Sequence, residues 1–235
     1  MIQAVLFDLF ETLISEWRNG KREKGHMFHE IGLNEELFKK EWHKRLDKRM
    51  DGTFSNYRSV LIDILKAQNM PIVLKVLDAA QKQRERVKSL PFEQINEEII
   101  GCLSELKRQG IKIGLISNCT PEEITAWEAC TLSQYFDDVI FSYKVKCAKP
   151  NPEIYLMACK NLKVEPEKVI FIGDGGSNEL FGAEQVGMIP YQATWFLSEK
   201  LFSQTLLLFK VVLTNNYLLK FATFIILLRK ELQTP

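Results

Sequence analysis

The stretch 4-AVLFDLFETL-13 decides the fold. Residues 4–7 are continuously apolar, and the run ends in the carboxylate of Asp8. A short apolar run bounded by polar residues reads as a strand covered on both faces of a parallel sheet. Three further runs have the same character: 111-IKIGLI-116, 138-DVIFS-142 and 168-KVIFIG-173. Helical patterns fill the gaps. Asn96 is placed to cap 97-EEIIGCLSELKRQG-110, with Gly110 as its stop. Thr120 and Pro121 open a helix expected over 120-TPEEITAWEAC-130, and 149-KPNPEIYLMACKNL-162 begins another. Strands alternating with helices predict an α/β chain: a Rossmann-like open parallel sheet flanked by helices, with right-handed crossovers.

Residues 15–93 break the rhythm. They are charged, strand-poor and helical in pattern, in 34-NEELFKKEWHKRLDKRM-50, 57-YRSVLIDILKAQ-68 and 72-IVLKVLDAAQKQRERVKSL-90. A segment of about 80 residues is too long for a plain crossover, which predicts an inserted helical cap domain. The expected organisation is a core from 1–14 plus 94–200, the cap over 15–93, and an apolar tail over 201–235. A clean membrane span needs about 20 apolar residues. Lys210, Asn215, Asn216 and Lys220 interrupt the tail, so a final strand near "KVVLT" and a buried helix are expected there. A partner or membrane-surface contact is the alternative.

The bulk numbers narrow the function classes. Lys and Arg number 31 against 30 Asp and Glu, a net charge of +1, so no global field selects nucleic acid or an anionic membrane. An anionic ligand must be bound by a local arrangement. Five cysteines, an odd number with no CxxC pair, together with an N-terminal run broken by Asp8 and Glu11, predict a cytoplasmic setting with free thiols. His26 and His29 are spaced i,i+3 but no Cys or further His joins them, so a solvated helix face is expected rather than a metal pair.

The strand ends carry the chemistry: Asp8 after the first, Ser117 and Asn118 after the second, Lys149 in "CAKPNP" after the third, Asp174 and Glu179 in "GDGGSNE" after the fourth. In an open α/β sheet these ends share one edge, where ligands bind. Taken singly, each is an ordinary turn, cap or surface residue. Their joint order resembles the four motifs of the haloacid dehalogenase-like (HAD) hydrolase superfamily, here "FDLFETL", "LISN", "AKPNP" and "IGDGGSNEL". The resemblance extends from residue 1 to about 197, and the insert looks like that superfamily's helical C1 cap.

The resemblance implies a hydrolase in which Asp8 is the nucleophile, with Lys149 and Ser117 as catalytic partners. It implies Mg²⁺ held by Asp8, the Phe10 carbonyl, Asp174 and Glu179, with Asn178 as the neighbouring alternative to Glu179. Thr12, Ser117, Asn118 and Lys149 are implied on the substrate, with Thr12 also fixing the loop after Asp8. In the cap, Arg49, Gly52 and Tyr57 of 49-RMDGTFSNY-57 are candidates for substrate choice, Arg49 and Tyr57 as binding residues. One position departs from the phosphatase pattern. Phe10 stands where family phosphatases carry a second Asp that protonates the leaving group. Losing a positioned acid costs typically 10²–10⁴-fold, and Glu11 beside it is not expected to substitute. Three expectations follow: a Mg²⁺-dependent phosphatase for a small phosphate ester, a metal-independent 2-haloacid dehalogenase favoured by Phe10, or a catalytically weakened binding protein. The phosphatase is preferred because "GDGGSNE" keeps a carboxylate pair. Neither a nucleic-acid nor a membrane partner is expected, and a homodimer through an apolar surface is the one assembly considered.

Overall fold

The structure, a computed structural model, describes residues 1–18 and 20–196. The tail and the strand and helix expected in it lie outside the described residues, as does any dimer surface it offers. Four strands form where the apolar runs predict them: β1 (Ala4–Phe7), β4 (Lys112–Ser117), β5 (Asp138–Phe141) and β6 (Val169–Gly173). A fifth, β7 (Ile189–Gln192), escaped the pattern because it is a half-buried edge strand containing Pro190. The sheet order is β5-β4-β1-β6-β7, and all pairs are parallel.

Three helices cover the sheet: α5 (Glu97–Arg108), α7 (Pro152–Leu162) and α8 (Glu179–Gln185). The cap on α5 is as the sequence reads, Asn96 accepting from the Glu98 N–H at 2.8 Å. One face of the sheet buries Val5, Phe7, Leu103, Leu115 and Ile172; the other buries Leu6, Ile116, Tyr155 and Phe171. Gly114 lets α7 lie close on the second face, since a Cβ there would strike the side chains of Leu6 and Leu162.

The helix expected over 120–130 does not form. Pro121–Glu123 make a single 3-10 turn. Isolated i→i+3 bonds then follow, from Trp127 to Ile124 and from Cys130 to Trp127. Two burial demands compete with a continuous helix: Trp127 turns into the core against Phe136 and Phe141, and Glu122 is buried on the other side.

Residues 15–93 contain a small hairpin, β2 (Trp17–Arg18) with β3 (Lys21–Arg22), and four helices. These are α1 (Glu35–Lys44), α2 (Leu46–Met50), α3 (Tyr57–Ala67) and α4 (Leu74–Ser89). They enclose a separate apolar cluster of Leu33, Phe38, Tyr57, Leu61, Ile64 and Leu77, among others. His26 corrects the sequence reading. It lies in no helix, packs among Phe38, Trp42 and Tyr57, and its Nδ1 meets the Tyr57 hydroxyl at 3.0 Å. Its aromatic neighbours come from elements distant in sequence, which i,i+3 spacing does not reveal.

Among the described residues all five cysteines are buried and free, and no helix is long and apolar enough to cross a membrane.

Candidate active site

Asp8 follows β1 directly, and its N–H donates to the Ile172 carbonyl at 2.8 Å, which ties it to β6. The chain then turns sharply. Leu13 and Ile14 both donate to the Leu9 carbonyl, and Glu11 donates to Ile14 with Glu11 itself at φ 58°. The Phe10 carbonyl stays out of these bonds. The left-handed twist at Glu11 sends its carboxylate away from Asp8: it accepts from the Ser15 hydroxyl at 2.8 Å and the Glu16 N–H at 3.0 Å. Glu11 is therefore spent on the turn.

Lys149 reaches this strand end from the loop after β5. Its Nζ donates to Asp8 Oδ1 at 2.5 Å and also to Glu179 Oε2. It is 4% exposed. Asn118 places it: the Asn118 amide donates to the Lys149 carbonyl and accepts from the Lys149 N–H, each at 2.8 Å. The Asn118 side chain is thus a clamp between two strand-end loops, not a free contact for substrate. Thr12 also serves position. It is fully buried, its hydroxyl faces Asp8 Oδ2 at 3.4 Å, and its carbonyl accepts from the Trp195 indole at 2.8 Å. The turn points the Thr12 side chain back at Asp8. Ser117 Oγ is buried without a hydrogen-bond partner among the described residues.

Glu179 opens α8 and turns its carboxylate inward, where Oε1 accepts from the Gly175 N–H at 3.1 Å. Gly173 makes room for it, since a Cβ there would collide with that carboxylate. Asn178, the neighbouring candidate, is exposed. Asp174 is half-buried and accepts from the Gly176 N–H at 2.8 Å. One oxygen each of Asp8, Asp174 and Glu179 lies within 4.8 Å of the others.

Three carboxylates thus gather at the strand ends, and the Lys149 ammonium pairs with two of them, Asp8 and Glu179. Burial pushes the Asp8 and Glu179 carboxyls up, Lys149 offsetting this only in part. Burial would depress Lys149, but Asp8 and Glu179 together hold its pKa above the ordinary value. The charge left over is negative. Hard carboxylate oxygens within reach of each other suit Mg²⁺; Asp8 Oδ2 has only the long 3.4 Å contact from the Thr12 hydroxyl, and Asp174 spends Oδ1 on the Gly176 N–H.

The cap candidates separate. Tyr57 is fully buried in the insert's own core. Asn56 caps α3 through the Ser59 N–H, which makes Tyr57 the first helical residue and swings its ring inward. Gly52 takes φ 72° and presses on the Tyr143 carbonyl, joining the insert to α6 (Ser142–Val145). Arg49 lies against the Trp42 ring, its guanidinium 3.8 Å from the centroid, and lines a cleft in the insert.

Sequence reading missed the ion network linking insert to core. Lys88 pairs with Glu16 and with Glu123, the latter at 2.9 Å, and Arg84 donates to Glu123 at 2.7 Å. Burial alone would raise Glu123, but Lys88 and Arg84 hold it well below the carboxylate range. A signal existed: Arg84 and Lys88 continue the buried stripe of Leu77 and Ala80 along α4, and charges on an apolar stripe need partners.

Comparison with known proteins agrees with this arrangement. Residues 2–187 match the haloacid dehalogenase-like hydrolase family. The glyceraldehyde 3-phosphate phosphatase of Methanopyrus kandleri is 25% identical over 198 residues, 80% of this chain and 82% of that one. A HAD family enzyme from Bacteroides thetaiotaomicron, solved with magnesium and inorganic phosphate, superposes with a TM-score of 0.58 at 21% identity, covering 82% of this chain and 94% of that one. The 2-haloacid dehalogenase of Pseudomonas syringae pv. Tomato DC3000 gives a TM-score of 0.61 at 19% identity, with coverage of 95% and 99%. The fold is common to both chemistries, and the chain belongs to the haloacid dehalogenase-like hydrolases.

Proposed function

We propose that the protein is a Mg²⁺-dependent phosphatase acting on a small phosphate ester, with Asp8 as nucleophile. The observation that carries this is the convergence of Asp8, Asp174 and Glu179, of which Lys149 pairs with Asp8 and Glu179. A dehalogenase has no use for that surplus negative charge, whereas a metal phosphatase does. Asp8, the Phe10 carbonyl and Asp174 would hold the ion. Glu179, engaged by Lys149 and Gly175, contributes charge and keeps Lys149 aimed. Mg²⁺ bound there would neutralise charge as an anionic phosphate meets an anionic nucleophile. The phosphatase name of the Methanopyrus relative supports the same class.

An Asp8 oxygen forms the bond to phosphorus as the ester P–O bond breaks and the alkoxide departs. Water then cleaves the aspartyl phosphate, releasing inorganic phosphate and restoring Asp8. Lys149, beside Asp8, stabilises charge on the transferring group. Ser117 Oγ and the Asn118 N–H are the donors for its oxygens. Phe10 carries no proton, so esters with good leaving groups are the better substrates. Residues 15–93 act as a cap over the core formed by 1–14 and 94–200, a division supported by the insert's own apolar cluster. The buried free thiols suit a cytoplasmic setting.

Hydrolysis of p-nitrophenyl phosphate with Mg²⁺ tests the reading. Activity is expected, and it should disappear on chelation. No turnover across a phosphate-ester panel overturns it. Chloride release from 2-chloropropionate that ignores chelator would install the dehalogenase instead.

A further inference from the structure

A cleft of about 640 Å³ opens in the insert, closed on one side by Glu123 of the core. That volume suits a small-molecule site. Six Lys or Arg side chains and two Glu line it, a local surplus of positive charge in a chain whose net charge is only +1. Both acids are already used: Glu35 pairs with Lys39 at 2.6 Å, and Glu123 with Arg84 and Lys88.

Arg49 is in no ion pair among the described residues, although Glu123 and Glu122 act on it electrostatically. It is 5% exposed and its Nε has no hydrogen-bond partner. Its guanidinium lies on the flat face of Trp42. The Arg84 Nε, across the same cleft, is likewise unpartnered. A buried guanidinium that lacks an acceptor is costly, and the groups that fit its fork are carboxylate and phosphate. The cleft also borders the reacting end of the molecule. Lys88, on its wall, stands 5.7 Å from the centre of the Phe10 ring, two residues past Asp8.

We propose that this cleft is a second anion subsite. The substrate is a phosphate ester that carries another anionic group, carboxylate or phosphate, away from the reacting phosphorus, and Arg49 receives it. This deepens the phosphatase reading and rests on it for the identity of the reacting group. Arg49 is then the residue that sets specificity, while Arg84 and Lys88 shape the cleft and tie it to the core through Glu123.

Calorimetric titration of full-length D8N tests this without turnover. Glycerol phosphate supplies one anionic group, and phosphoglycerate adds a carboxylate. Phosphoglycerate is expected to bind at least about tenfold more tightly. R49M should erase most of that preference and R49K should keep part of it. Equal affinities, binding of neither ligand, or a preference that survives R49M overturns the proposal. The D8N comparison stands even if R49M fails to fold. Wild-type turnover of p-nitrophenyl phosphate, run in parallel, separates the two readings. Turnover without the preference removes only the subsite, and the preference without turnover removes only the aspartyl-phosphate chemistry.

Discussion

The Asp8 cluster and the Arg49 cleft are both buried and charged, and they are unbalanced in opposite senses. At the strand ends three carboxylates converge and one lysine pairs with two of them, Asp8 and Glu179. In the insert, cations outnumber acids along the cleft, and Arg49 lies on an aromatic face without an ion pair of its own among the described residues. Buried charge is tolerated when paired, so each imbalance specifies what is to arrive: a hard cation at the first, an anion at the second. The Glu16, Arg84, Lys88 and Glu123 network between them is closer to balanced and reads as structure.

This contrast can be broken from the nucleophile outward. D8N should lower phosphatase activity by at least about 10³-fold, in steady-state assays with Mg²⁺. A smaller loss would mean that Asp8 is not the attacking group. K149M leaves Asp8 and Glu179 buried without their cation. It should cost about 3–5 kcal/mol in urea unfolding of the metal-free protein, and added Mg²⁺ should recover part of that. A variant as stable as the parent would remove the claim that Lys149 is the cluster's main counter-charge. F10D restores a proton donor beside Asp8 and should raise turnover of alkyl phosphates by about 10–100-fold, with little gain on p-nitrophenyl phosphate. An equal effect on both would show that Phe10 acts through something other than the missing proton.

His26 in the insert gives the contrast a pH dependence. Burial, reinforced by Arg84, Lys88 and Lys24, holds its pKa down to about 2 against 6.5 for the free side chain. The folded protein therefore keeps it neutral, while the unfolded chain takes up a proton below about pH 6.5. Stability should fall as pH drops from 6.5 toward 2, by at most about 1.4 kcal/mol per pH unit. H26F should flatten this slope in denaturant melts across that range. An unchanged slope would place the acid sensitivity elsewhere.

The two regions also differ in how far the sequence reveals them. Asp8, Ser117, Lys149 and Asp174 each follow an apolar run, so local pattern places them at one edge before any contact is known. β7 was hidden because Pro190 and partial exposure break its pattern, and the 120–130 helix yielded to the burial of Trp127 and Glu122. The cleft is assembled from α1, α2, α4 and the loop after β4. No local spacing joins Arg49 to Trp42 and Arg84, although charges on the buried stripe of α4 hint at a partner. At Tyr57 the helix start is legible in the sequence, but the direction of its ring, into the insert's own core, is not.

The Trp195 indole holds the Thr12 carbonyl across 183 residues. The turn that aims Asp8 is not fastened until the chain 183 residues beyond Thr12 has been made. Contacts of such long sequence separation form late and slowly. The nucleophile is therefore synthesised well before the brace that fixes it, and the site is completed only when the core closes.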